Sequence, residues 1–223
     1  MKKVDITVAI PTYNGAKRLS KVIEKLKQQT NTQDFTWEIL IVDNNSHDDT
    51  AKLIKTYQEN WSLIYPLRYC FQAQQGLAFA RQKAVEEALG ELIGFLDDDI
   101  LPASDWVAEA YKFARQHPRA GAYGGQIHGD FEIEPPANFE RIKSFLAIRE
   151  RGEEPHLYRP DILSLPPGAA LVIRKQVWLD NVPSRLVLVG RVNGTMLAGE
   201  DYETLIHMHR SGWEIWYNPT MHS

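Results

Sequence analysis

Leu92-Ile93-Gly94-Phe95-Leu96 runs directly into Asp97-Asp98-Asp99, and the reading of this stretch decides the fold. The short apolar run reads as a buried strand. Three adjacent carboxylates repel one another, and the repulsion grows where water is partly excluded. A strand that delivers them to its carboxyl end therefore invites a compensating cation. Hard oxygen donors suit Mg²⁺ or Mn²⁺, ions that bridge one or two carboxylates to substrate phosphates. Taken alone, the triplet reads more simply as an acidic turn ahead of a helix, with Ser104 and Asp105 just downstream. Its neighbours decide between the two.

Upstream, the pattern alternates regularly. Val4–Ile10 is apolar and β-branched, and Gly15–Gln29 carries Leu19, Val22, Ile23 and Leu26 at helical spacing. Trp37–Val42 reads as a second strand ending at Asp43, and the stretch from His47 to Asn60 as a helix with Leu53, Ile54 and Tyr57 on one side. Ser62–Tyr69 reads as a short strand and Leu77–Leu89 as a helix, before the strand Glu91–Leu96. Strand alternating with helix predicts an α/β fold: a mostly parallel central sheet flanked by helices. Downstream the signal is less regular. Helices are expected over Trp106–Gln116, Asn138–Arg149 and Glu200–Arg210, strands over Ala120–Ile127, Gly168–Arg174 and Trp213–Tyr217, and a loop over Arg151–Pro160.

The totals bound the possibilities. The 223 residues suit one domain, with a regular half, 1–101, and a less regular half, 102–223. With 25 Lys+Arg against 29 Asp+Glu the formal charge is −4, and no basic tract marks a nucleic-acid partner. Cys70 is the only cysteine, which excludes an intrachain disulfide and a Cys-based zinc site and suits a reducing cytosol. No apolar run approaches the ~20 residues that span a bilayer, so the expectation is a cytoplasmic protein, with peripheral contact at the inner face of the membrane left open.

In an open parallel sheet, ligands collect outside the carboxyl ends of the strands. After the first strand stands Pro11-Thr12-Tyr13-Asn14-Gly15, which offers backbone amides and a flat ring to a nucleobase. After the second stands Asp43-Asn44-Asn45-Ser46, whose carboxylate can accept from a base N–H or a ribose hydroxyl. Each also reads as ordinary turn or cap chemistry. Gly199-Glu200-Asp201 opens a helix, where two acids complement the helix dipole or place a base. Three polar clusters at successive strand ends outweigh the bland reading of each.

These residues resemble a family. TVAIPTYNGAKRL (7–19), EILIVDNNSHDDT (38–50), GLAFARQKAVEEALGELIGFLDDDI (76–100), PPGAALVIRKQVW (166–178) and LAGEDYETLIHMHRSGWEIWYNP (197–219) together are similar to the family 2 glycosyltransferases, of the A-type nucleotide-sugar-binding fold. The finer likeness is to bacterial, including cyanobacterial, polysaccharide-biosynthesis members. The resemblance implies a nucleotide-sugar-binding half, 1–101, an acceptor-binding half, 102–223, and a donor pocket of Pro11, Thr12, Tyr13 and Asn14, with Asp43 on the base and Asn45 beside it. Gly76 and Arg81 match the glycine before, and the arginine within, the following helix; Arg81 reaches a phosphate or ties down the acidic loop. Gln82 stands where many members have Asn, and no role is carried onto it. Asp97 faces the ribose or the metal shell, Asp98 shapes the turn beside the nucleotide, and Asp99 holds Mn²⁺ or Mg²⁺. Asp201 is the implied general base, with Glu200 as the alternative, and His222 is a further metal ligand.

The implied reaction moves a sugar, with inversion, from a UDP, GDP or dTDP sugar to a saccharide or lipid-linked saccharide acceptor. A Gln-x-x-Arg-Trp motif is not found, which disfavours a processive synthase. Members usually continue past the position of His222, so the native protein is expected to be longer. Two rivals stand: a nucleotidyltransferase of related fold, for which Pro11–Lys17 is a poor phosphate-activating loop, and a non-catalytic nucleotide-binding module. His47, His117, His128 and His156 lie in turns or at element ends and call for no special role, and Arg149, Arg151, Arg159 and Arg191 read as solvated surface.

Overall fold

The computed structural model describes residues 3–131, 133–136, 138–139, 142–190 and 199–223. Arg191, Leu197 and Ala198 lie outside the described residues. The strands are β1 (Val4–Thr12), β2 (Trp37–Asp43), β3 (Leu67–Phe71), β4 (Gly90–Leu96), β5 (Ala120–Gln126), β6 (His156–Leu157), β7 (Ala170–Arg174) and β8 (Glu214–His222). The α-helices are α1 (Leu19–Lys27), α2 (Thr50–Glu59), α3 (Leu77–Glu87), α4 (Trp106–Gln116), α5 (Lys175–Asn181) and α6 (Glu200–Arg210).

All the strands join one sheet in the order β3-β2-β1-β4-β7-β5-β8-β6. β1 pairs in parallel with β2 on one side and β4 on the other, and β2 pairs in parallel with β3. The strand order reverses at β1, which opens a crevice at the carboxyl ends of β1 and β4. The strands are apolar on both faces because both are covered. Ile6, Val8, Ile10, Ile39 and Ile41 face α1, α2 and α4 through Leu19, Val22, Ile23, Ile54, Trp106 and Val107. Ala9, Leu40, Val42, Ile93 and Phe95 face α3, α5 and α6 through Ala80, Ala84, Trp178, Leu205 and Met208. The period-two division follows from the alternating direction of side chains along a strand.

The sheet is mostly parallel, as expected, with β7 antiparallel to both β4 and β5. β5 ends at Gln126 on the crevice side, and because β7 pairs antiparallel with it, β7 starts from that same edge. The helix expected over Asn138–Arg149 is a 3-10 turn at Lys143–Leu146, closed by Ala147 in the left-handed region with φ 62°. Arg149 then bridges Ile127 through two 2.9 Å backbone bonds, which an α-helix would forbid. The Arg151–Pro160 loop contains β6, which pairs antiparallel with β8. The third strand starts at Leu67 rather than Ser62, and the last continues to His222 rather than Tyr217. Helix α5 had no expectation behind it. Gly124 and Gly125 serve packing: a Cβ at 125 would stand 2.1 Å from the Met221 carbonyl, and one at 124 would stand 2.8 Å from Pro166 Cβ.

Candidate active site

The loops after β1 and β2 are laced together at the mouth of the crevice. Thr12 O accepts from Asn44 N at 2.8 Å, Asn14 N donates to Ser46 Oγ at 2.9 Å, and His47 N donates to Asn14 Oδ1 at 2.9 Å. Asn14 and Asn45 both take left-handed backbone, with φ 49° and 64°, a region asparagine tolerates better than most residues. Pro11 and Thr12 are buried at the end of β1. Tyr13 stays 45% exposed with its ring edge-on to His47, so its face is open to a planar ligand. Asp43 is buried, and its carboxylate accepts from Ser46 N at 2.9 Å and from Tyr69 Oη at 3.0 Å. Burial, with Asp43 adding to it, pushes the Tyr69 hydroxyl up to about 12, so it remains a donor. Two oxygens carry about four acceptor sites, so Asp43 retains capacity for a base N–H.

Asn44 was not singled out in the sequence, yet it closes this wall. Its side chain donates to Gln74 O at 2.7 Å and accepts from Gly76 N at 2.8 Å. Gly76, with φ 137°, supplies a backbone few other residues adopt as the chain enters α3.

The three aspartates are not equivalent. Asp98 is buried and already neutralised, because Arg18 donates to both its oxygens at 2.9 Å and Thr12 Oγ1 donates at 2.5 Å. Asp99 is exposed and makes no hydrogen bond or ion pair among the described residues. Asp97 lies between them and Arg81, whose Nη2 is 3.6 Å away. Burial pushes the Asp97 carboxyl up to about 6, against Arg81, with Asp99, Asp98 and Glu200 adding to the rise. Since 36% of its side chain reaches solvent, water screens part of that push.

Arg81 is the hinge of the arrangement. Its guanidinium is buried, donates to Glu200 Oε1 at 3.0 Å and lies over the Phe95 ring at 5.6 Å. Its other contact, 3.6 Å from Asp97 Oδ1, reaches the acidic loop. A Cβ at Gly168 would fall 2.3 Å from Arg81 Nη2, so only glycine leaves room there. Gly168 N in turn donates to Asp201 Oδ2 at 2.8 Å, and Ala169 O accepts from Asp97 N at 3.0 Å. The PPGA segment thus joins the end of β4 to the start of α6. The first turn of α6 carries Glu200, Asp201 and Glu203, favourably placed at the positive end of the helix dipole. Glu203 accepts from Val187 N and Leu188 N, and Glu200 is buried against Arg81. Asp201, like Glu203, stays half-buried with only backbone donors on its carboxylate, from Gly168 N and Tyr202 N, but it lies next to Glu200 and against the Gly168 turn.

His222, the last residue of β8, lines a cavity of about 590 Å³ together with Asp99, Arg18, Ile100–Ala103 and His128. His128 needed no role in the sequence; here its Nε2 lies 2.9 Å from His222 Nδ1, with the rings stacked. Among the described residues no three His, Cys, Asp or Glu side chains converge as a metal cluster. The donors nonetheless fit a hard cation of the kind that takes one or two carboxylates and completes its shell with phosphate and water. Asp99 is unengaged, and burial, with the neighbouring acids adding to it, holds Asp97 above its ordinary range.

The sequence missed Arg18, Asn44, His128 and Gly168. Arg18 follows the Pro11–Gly15 loop at the start of a basic helix face, the one available signal; the partners of the others are remote in sequence.

Comparison with known proteins agrees with this geometry. Residues 7–178 match the model of glycosyl transferase family 2. An uncharacterized glycosyltransferase of Bacillus subtilis, YfnE, is 33% identical over 106 residues, which is 48% of this chain and 26% of that protein. The teichuronic acid biosynthesis glycosyltransferase TuaG of the same organism, itself a putative assignment, is 27% identical over 54% of this chain and 46% of its own length. The Staphylococcus aureus TarS fragment 1-349 in complex with UDP superposes over 99% of this chain and 60% of its own, with TM-score 0.70 and 17% identity. The mannosyltransferase PcManGT of Pyrobaculum calidifontis, in complex with GDP-Man and Mn²⁺, covers 98% of this chain and 56% of its own at TM-score 0.68 and 21% identity. The chain spans less than two thirds of each of these proteins, and the structural likeness establishes a fold shared with nucleotide-sugar-binding transferases.

Proposed function

For a chain that belongs to glycosyl transferase family 2, we propose transfer of a sugar, with inversion, from a nucleoside-diphosphate sugar to an acceptor hydroxyl. The observation that carries the reading is the division of the acid pair on α6. Arg81 engages Glu200 at 3.0 Å, while Asp201 is left half-buried beside Gly168. One carboxylate builds the site and its neighbour is free for proton transfer.

Tyr13 stacks on the base, Asp43 accepts from it, and the backbone around Asn14 and Asn45 holds the ribose edge. Asp97 and Asp99, with His222, would hold Mn²⁺ or Mg²⁺, and such a cation, when bound, neutralises charge on the departing diphosphate. Asp201 removes the acceptor proton as that oxygen attacks the anomeric carbon from the face opposite the leaving group. A new carbon–oxygen bond forms, the bond to the diphosphate breaks, and its electron pair leaves with the diphosphate. General-base assistance of this kind contributes typically ~10²–10⁴-fold.

The donor is of the UDP, GDP or dTDP type; the UDP and GDP-Man complexes of TarS and PcManGT support a nucleotide sugar. The acceptor is a saccharide or lipid-linked saccharide in polysaccharide assembly at the cytoplasmic face of a membrane, a role supported by the name of TuaG. No described helix is long and apolar enough to cross a membrane. Screening nucleotide sugars for transfer or slow hydrolysis tests the proposal: turnover of one donor supports it, and no turnover or binding of any donor opposes it.

A further inference from the structure

We infer that the face formed by α1 and the segment after β5 docks onto an anionic lipid bilayer, a placement independent of the transferase reading. Lys17, Lys21 and Lys25 recur every fourth residue, so they form one stripe along α1 and the turn before it. All three are exposed, and none of their ammonium groups has a hydrogen bond or ion pair among the described residues. In a chain of net charge −4 this is a local departure. The stripe lines one wall of the 590 Å³ cavity, and His128, Gly129 and Asp130 line the other. His128 and Gly129 also line an adjoining cavity of about 300 Å³ walled by Phe131, Pro135, Pro136, Phe139 and Ile148. Basic and apolar surfaces are therefore continuous.

Phe131 of that cavity is 46% exposed, and in the same segment of chain Ile133 is 83% exposed, Leu146 58% and Ile142 51%. A soluble anion would satisfy the lysines and leave these side chains in water. An apolar protein surface would cover them and strand the lysines. A bilayer with anionic headgroups satisfies both, with aliphatic side chains entering the acyl boundary beside a basic strip. The acids facing the stripe are few. Asp99 and Asp130 sit on the cavity wall, Glu24 pairs with Lys27 at 3.2 Å, and Glu150 lies 3.0 Å from His128 and 3.9 Å from Lys143. Because Asp99 lines the same cavity, docking would bring the mouth of the candidate active site against the headgroups.

The test is co-sedimentation with vesicles of phosphatidylcholine, with and without phosphatidylglycerol. The wild-type protein should bind only the anionic vesicles, and added salt should weaken the binding. Each of Lys17→Glu, Lys21→Glu and Lys25→Glu should lower the partition by about fivefold or more, and the uncharged pair Ile133→Ser with Ile142→Ser should lower it at low salt. No binding to anionic vesicles overturns the inference. So does full binding by the lysine variants, or binding that ignores the serine pair, which would reveal plain charge attraction. Nucleotide binding measured on the same samples keeps the two readings apart: vesicle binding can fail while it persists, and the reverse.

Discussion

Glu200 and Asp201 are adjacent, yet they are predicted to fail in different ways. Glu200 is buried and paired with Arg81, a residue 119 positions earlier. Arg81→Ala would leave that carboxylate buried without its partner, so unfolding should become easier by about 3–5 kcal/mol, read as a lowered midpoint in urea. Asp201→Asn keeps one of its two backbone donors, so it should lower the midpoint less than the Arg81 variant does, leave nucleotide binding unchanged and slow transfer by about 10²-fold or more. A fully active Asp201→Asn protein removes that residue from the mechanism. Gly168→Ala places its Cβ 2.3 Å from Arg81 Nη2, so it should resemble the Arg81 variant in stability. The acid pair was legible in the sequence as a site but not as a division of labour. Its two members share a helix turn, and only the remote Arg81 and Gly168 tell them apart.

At the scale of elements, the far end of the sheet is held by Glu38, which is fully buried on β2. It accepts from Thr7 Oγ1 at 2.7 Å, Leu89 N at 2.9 Å and Arg68 Nη1 at 3.1 Å, and so ties β1, β3 and the α3–β4 turn together. Arg68 keeps Glu87 as a partner, so Glu38→Ala should cost about 1–3 kcal/mol, chiefly by leaving the Thr7 hydroxyl and Leu89 N without their acceptor; a change below about 1 kcal/mol would show that water replaces it. Cys70 on β3 lies partly buried, and burial pushes its thiol up to about 11. Alkylation at neutral pH should be slow in the folded protein and rapid after denaturation; fast labelling of the native chain would contradict its placement. The first half of the fold was readable because strands and helices there alternate with clear periods. The orientation of β7 was not, since a run apolar on both faces has no arrow. The false helix over Asn138–Arg149 arose because helical spacing of apolar residues competes with backbone pairing between Arg149 and Ile127, and the pairing wins.

Across the whole molecule, one sheet carries residues from both halves of the chain to the same edge. Tyr13 and Asp43 come from its first strands, Asp97 and Asp99 from beyond β4, Gly168 from before β7, and Asp201 from the helix that precedes β8. The strand-end argument found most of this edge, because ligands gather where strand order reverses. It missed Arg18 and His128, which act through packing between distant segments. The central claim is a metal-assisted nucleotide-sugar site, and calorimetric titration with UDP, GDP and dTDP tests it most directly. In Mn²⁺, one of the three should bind saturably. Chelation should abolish that binding, and Asp99→Ala should weaken it by about tenfold or more. Absence of binding by all three at millimolar concentration, or binding indifferent to both chelation and Asp99→Ala, would contradict the account.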